Sequence, residues 1–526
     1  MYKIVKFFSF NNNNSHLIII AILATLFQIF FLFLLPISIE ADGAGYYLYA
    51  KCFQLNKNCW FMWWRPPGFS IYLHLLGMTW LDSFNLVLFF NCVLAISIPI
   101  LVFETFKPIS CKWAFFLSLV LIFSTINFSY TKGFTNDHFY SFFLILMAYF
   151  CSRFLYGSNN NPLFLFLANL SILFATMVRW EAMYIALSIF IFQFYFLIKK
   201  KSKSLFKAML VSLVIFISVL YSWSAIRALA LGQKELFGSL HNASGRQLFW
   251  RVYSMASKEA IHWNFSKPSV YETDRWTKNQ KEVIFVQEKN GIASKTISSM
   301  FPGFLNNPSD DNASTIVFGK KINEYGILRG DELLKEAAIE TIISNPKLIP
   351  LIMLSVTPYF GINIPEKKYF TWAVYDLYEA MPYDIDKTVV KNLSTKLAIK
   401  YKESQWQIED KALKLARPAW NESGRPEVLN QFHRFAQLLR NIIRNCAGAI
   451  LICTIWFIPL SKNKSFGFFL FSSLVLMLSA SAFGFGYNGR YEHFILPYVL
   501  MLSFLSLKSF VDYFFKKNKK NINFIF

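Results

Sequence analysis

Ten apolar runs of about 14–23 residues, most of them near the ~20 that cross a bilayer as a helix, constrain this chain more than any other feature. They fall at 17–39, 84–106, 113–130, 138–155, 163–178, 183–198, 205–225, 438–460, 466–485 and 494–507. Hydrocarbon offers the backbone no hydrogen-bond partner, so such runs are expected to be helices. Composition agrees, with 55% hydrophobic, 19% aromatic and 16% charged residues, where a soluble chain carries about 25% charged. That excludes a disordered chain, a collagen-like chain and an ordinary soluble enzyme. The first run exceeds the ~7–15-residue core of a secretory signal and reads as a retained span.

The net charge of +22 would suggest nucleic acid in a soluble protein. Here the cations cluster in short loops beside the apolar runs: Lys107 and Lys112, Arg153, the group Lys199, Lys200, Lys201, Lys203 and Lys207, then Lys462, Lys464 and the tail 516–520. Cytoplasmic loops explain that placement, and no nucleic-acid partner is expected. With the N-terminus inside, all these groups fall inside if seven spans precede the long polar stretches 228–345 and 363–436 and three follow them. Both stretches then lie outside.

The short apolar run 348–364 between them is expected in the membrane interface or packed under the insert. Were it to span, the last three helices would invert and carry Lys462 and the basic tail outside. The run 67–81 follows Arg65-Pro66-Pro67 and is short for a span, so it reads as an interfacial helix started by proline.

The expected fold class is mostly α, a polytopic membrane protein of about ten transmembrane helices with a small mixed extracytoplasmic insert between spans seven and eight. Its parts are an N-terminal transmembrane module (1–227), the insert (228–436) and C-terminal helices with a basic tail (437–526). Of seven cysteines, Cys52 and Cys59 stand in the first outer loop, where a disulfide is permitted; two unpaired thiols are equally consistent. No Cys/His cluster points to structural zinc.

Ionisable residues at membrane edges are costly and draw a functional hypothesis. Four sets gather there: Glu40 and Asp42 after the first span; Asn136, Asp137 and His138 at the start of the fourth; Arg179 and Glu181 between the fifth and sixth; and Arg490, Tyr491, Glu492 and His493 before the last. On the orientation above, all four face outward. Each has a plainer reading. Asp42 could be a solvated helix end, Asp137 a helix N-cap favoured by about 0.3–1 kcal/mol, and Arg179 with Glu181 a local ion pair worth about 0–1 kcal/mol. Arg490 with Glu492 could keep a hairpin wet.

The order of these motifs resembles the GT-C superfamily of membrane glycosyltransferases. Its nearest branch contains protein O-mannosyltransferases, the lipid A aminoarabinose transferase and related bacterial polyprenyl-phosphate-sugar transferases. The residues that carry the resemblance are Asp42 followed by the YYxxA segment 46–50, Arg65-Pro66-Pro67, the acidic start of the fourth span, Arg179-x-Glu181, the stretch AAIETIISNPKLIPL at 337–351, and Gly489-Arg490-Tyr491 with Pro497. It covers about residues 15–230 and 435–510 and hardly touches the insert.

The resemblance implies a transferase acting on the outer face of a bacterial cytoplasmic (inner) membrane, facing the periplasm or cell exterior. It would move a sugar from a polyprenyl-phosphate donor to a hydroxyl of a glycan, glycolipid or protein acceptor. Asp42 takes the family's position of general base or acceptor-orienting group. Arg179, Arg490 and, more weakly, Arg65 are the phosphate-binding candidates, because arginine grips phosphate bidentately. Glu40, Asp137, His138, Glu181, Tyr491 and Glu492 are expected to support the site or orient the acceptor or a metal.

The chain departs from the branch in two ways. The residue after Asp42 is Gly43, where many relatives carry a second acid, so a divalent metal is compatible but not required. The polar insert precedes the last three spans, whereas the aminoarabinose transferase places its soluble domain after the last. Competing classes are an O-antigen ligase or polymerase, a lipid or sugar transporter or flippase, and a membrane scaffold.

Overall fold

The computed structural model describes residues 13–34, 46, 49–50, 66–78, 85–124, 128, 131, 136–157, 160–230, 244–255, 291–301, 316, 327–346, 348–354, 438, 454, 458–459, 461–483 and 492–516. Every regular element among them is a helix. The membrane-type helices are α1 (Asn13–Leu34), α3 (Asn85–Phe106), α4 (Cys111–Phe123), α5 (Asp137–Tyr156), α6 (Pro162–Val178), α7 (Glu181–Lys200), α8 (Lys203–Ala230), α13 (Lys464–Phe483) and α14 (Glu492–Lys516). The short helix α2 (Gly68–Leu75) precedes α3, and α9 (Ser244–Met255), α10 (Ile292–Met300), α11 (Ile327–Ser344) and α12 (Leu348–Leu354) belong to the insert.

Seven of these helices are long and apolar enough to cross a membrane; α4 and α6 are apolar but shorter. The expected span 438–460 lies almost wholly outside the described residues, so the firm count is seven against the ten expected. α4 ends at Phe123, where the Ser124 hydroxyl donates to Leu121 O; such short polar side chains compete for helix carbonyls. The interfacial helix is also shorter than its apolar run. Gly77 takes φ 80°, donates to His74 O and is followed by Met78 donating to Leu73 O. That left-handed glycine stop ends α2 at once.

The loop chemistry brings the basic turns to one end of the bundle. Glu104 in α3 binds both Lys107 and Arg153 of α5, Lys200 donates to Asn160, and Tyr156 donates to Asn463 before α13. α6 starts cleanly there because Asn161 accepts from Leu163 N and Pro162 occupies the first turn, where no N–H donor is needed. Small polar pairs tie the C-terminal helices in, as lipid-embedded interfaces favour: Ser188 with Ser473, Thr454 with Ser506, and Tyr498 Oη on Leu144 O.

In the insert a mixed domain was expected, but the described part carries no strand. α11 organises it. Asp331 accepts from the N–H groups of Gly245 and Arg246 at the start of α9, and Glu340 accepts from Ala293 and Ser294 at the start of α10. Each acid thus satisfies a neighbouring helix's unpaired N-terminal donors. The run 348–364 is described as the seven-residue α12, packed on α13; its remainder lies outside the described residues.

Candidate functional site

At the end opposite the basic turns, α5 and α7 begin and α6 finishes. α6 stops at Val178 because Arg179 turns extended (φ −146°, ψ 129°), and α7 starts two residues later at Glu181. Asp137 is the first residue of α5. Both acids therefore stand at helix N-termini and the arginine at a C-terminus, the arrangement the helix dipoles favour.

These three charges meet. Arg179 Nη1 donates to Asp137 Oδ1 at 2.9 Å and Nη2 to Glu181 Oε1 at 3.1 Å. Asp137 is fully buried, Arg179 is 11% exposed and Glu181 22%, so the pair nearest the core is shielded from water while Glu181 faces outward. The guanidinium also stands 5.4 Å from the centre of the Tyr140 ring, a cation–π distance. Asp137 Oδ2 is buried with no hydrogen-bond partner among the described residues. Two carboxylates around one guanidinium leave a formal charge of −1.

Tyr46, from the segment between α1 and α2, docks on the same spot. Asn136 does not cap α5; its amide donates instead to Tyr46 Oη at 2.7 Å and to Val178 O at 3.2 Å. The Tyr46 ring lies edge-on to Phe69 of α2, and Ser70 Oγ donates to Tyr46 O. α2 can approach because Gly68 abuts the last turn of α6, where a Cβ would lie 2.5 Å from Met177 O. Farther along, Tyr49 faces Trp223 of α8 at 6.3 Å between ring centres. A second chain of hydrogen bonds fixes the other flank of α2: Tyr72 Oη donates to Asn91, Asn91 to Thr131 O, and Gln28 to Thr131 Oγ1.

Of the residues expected at a site, Asp137, Arg179 and Glu181 are in contact, and His138 is buried beside Asp137 in the first turn of α5. Glu40, Asp42, Cys52, Cys59, Arg65, Arg490 and Tyr491 lie outside the described residues, and so does the side chain of Glu492, which opens α14. Sequence reasoning missed Tyr46, Gly68 and Ser70 as site-building residues. The signal for Gly68 was present in the Arg65-Pro66-Pro67-Gly68 string, where a glycine after two prolines marks a close backbone approach. Among the described residues no three His, Cys, Asp or Glu side chains converge as a metal cluster. Asp137 and Glu181 are the acids here that could meet a cation, and Arg179 stands between them.

Fold and site together define a mostly helical protein with, among the described residues, seven helices fit to cross a membrane and a largely buried ion-pair network at one end of the bundle. Comparison with protein-family models, curated proteins and solved structures returns no match.

Proposed function

We propose that this chain is a glycosyltransferase that moves a sugar from a polyprenyl-phosphate donor to a hydroxyl of an envelope glycan, glycolipid or protein at the outer face of the cytoplasmic membrane. One observation carries the reading. Residues from three separated segments, Tyr46 with Asn136, Asp137, Arg179 and Glu181, gather at the bundle end away from the basic turns. Asp42 precedes Tyr46 by four residues, and four residues of chain reach no more than about 14 Å.

The chemistry follows from the donor. The acceptor oxygen attacks the anomeric carbon while the bond from that carbon to the phosphate oxygen breaks. The bonding pair leaves with the polyprenyl phosphate, and the hydroxyl proton passes to the Asp42 carboxylate. Phosphate is already a good leaving group, so no strong acid is required, and a single displacement inverts the anomeric centre. In this scheme Arg490 and Arg65 hold the phosphate oxygens. Arg179, with both terminal nitrogens on carboxylates, fits a positioning role better than a phosphate contact. Placement of charge favours this over a transporter: among the described residues, the Asp, Glu, Lys and Arg of the apolar helices lie near helix ends except Lys508 of α14, which pairs with Asp512, whereas a transport path predicts ionisable groups at mid-span.

The test is release of polyprenyl phosphate by the purified protein in proteoliposomes, across a panel of polyprenyl-phosphate sugars with envelope extract as acceptor. Release with at least one donor, coupled to a labelled acceptor, is expected. Inertness toward every donor overturns the reading.

A further inference from the structure

The turn joining α7 to α8 carries Lys199, Lys200, Lys201, Lys203 and Lys207, all exposed. Elsewhere at this end Lys107 and Arg153 share Glu104. Among the described residues none of the five has a carboxylate partner. Lys200 donates to the Asn160 amide oxygen and stands over the Phe154 ring, and Lys199 stands over Tyr195.

The conformation of one of these lysines and the helix position of two others are unfavourable, while Lys199 and Lys200 sit in the last turn of α7, where the helix dipole favours cations. Lys201 occupies the left-handed region (φ 46°, ψ 36°) at the end of α7, a position that favours glycine. Lys203 and Lys207 lie in the first turns of α8, which has no acid there, although a helix N-terminus repels cations. An external anion relieves both the crowding and the dipole conflict.

The surroundings select the anion. Directly beside the lysines, Tyr195 and Ile198 on α7 and Phe206 and Leu210 on α8 are exposed, on helices apolar enough to cross a membrane. The charged patch begins where an exposed apolar surface ends, and in a bilayer lysine stems reach from such a boundary to headgroup level. We propose that the α7–α8 turn binds anionic phospholipid headgroups, with phosphate among Lys199, Lys201, Lys203 and Lys207 and acyl chains along Tyr195, Ile198, Phe206 and Leu210.

The test uses the full-length protein in detergent with phosphatidylglycerol or phosphatidylcholine, retained lipid being counted by native mass spectrometry. Each lysine near an anionic surface is worth about a fivefold change in binding. Wild type is expected to prefer phosphatidylglycerol, and Lys199→Gln/Lys201→Gln/Lys203→Gln/Lys207→Gln is expected to lose at least about tenfold of that preference. The same four positions changed to arginine keep it, which separates lost charge from lost fold. Lys107→Gln, a paired cation, leaves it unchanged. The proposal is overturned if the glutamine variant retains the wild-type preference, if Lys107→Gln loses as much, or if inorganic phosphate at equal concentration displaces the lipid and so marks a site for soluble anions.

Discussion

Arg179 Nη1 donates to Asp137 Oδ1 at 2.9 Å, joining residues 42 positions apart where α5, α6 and α7 share an end. Removing one partner of a buried pair strands a charge and costs about 3–5 kcal/mol. Arg179→Ala is therefore expected to destabilise the protein by about 3 kcal/mol, measured by thermal unfolding in detergent. Asp137→Asn, which removes the buried charge itself, costs less. The double variant Asp137→Asn/Arg179→Ala should recover part of the loss of Arg179→Ala alone. Strict additivity of the two single effects would contradict the pairing.

Gly68 sets how closely α2 approaches α6. Because a Cβ there would lie 2.5 Å from Met177 O, Gly68→Ala forces backbone apart and is expected to cost about 1–3 kcal/mol, as overpacking does. The shift passes through Ser70 to Tyr46, so transfer activity falls as well. A variant with wild-type melting temperature and turnover would show that the contact does not position the loop.

Tyr46→Phe and Asn136→Ala probe the loop dock separately. The first deletes the hydrogen bond from Asn136 and keeps the ring edge-on to Phe69, a loss of about 1 kcal/mol. The second removes the donor to both Tyr46 and Val178 and is expected to cost more, with the larger fall in activity. The reverse ranking in chemical denaturation would place the dock elsewhere.

How much of this was legible in the sequence depends on the range of the interaction. The apolar run 84–106 reads directly as α3, Asn85–Phe106, because bilayer thickness sets the length of the run and the helix alike. The end of α2 at Gly77 was readable too, since a glycine after an apolar helix is a stop signal, although the whole run 67–81 was expected to be helical. Arg179 with Glu181 is a neighbour relation visible in the string. Asp137 with Arg179, and Asn136 with Tyr46, are not, because packing of α5 on α6 and of the loop on α2 creates them. The insert was expected to be mixed, yet its described part is helical: Asp331 and Glu340, which look like surface acids in sequence, receive the N–H groups of two other helices.

Tyr253 in α9 gives the insert a measurable alkaline limit. Its side chain is buried, with its hydroxyl 3.3 Å from Thr341 Oγ1, and burial pushes the phenol up from 10.0 to about 12. A raised folded pKa means the native state holds the proton longer than the unfolded chain. That stabilisation is complete below pH 10 and is lost as pH climbs toward about 12, by up to about 2–3 kcal/mol. Tyr253→Phe should flatten this part of the stability–pH curve relative to wild type. Identical slopes for the two proteins would show that the phenol is not held in the protonated form.

The most direct test of the transferase account is the turnover of Asp42→Asn against wild type, both shown to be folded by equal melting temperatures. It is read as polyprenyl phosphate released from the donor that wild type accepts. Loss of a positioned general base is worth about a hundredfold to ten-thousandfold in rate, so the account predicts a fall of at least about a hundredfold with the donor still bound. Turnover within a few-fold of wild type would contradict it and return Asp42 to the role of a solvated helix end.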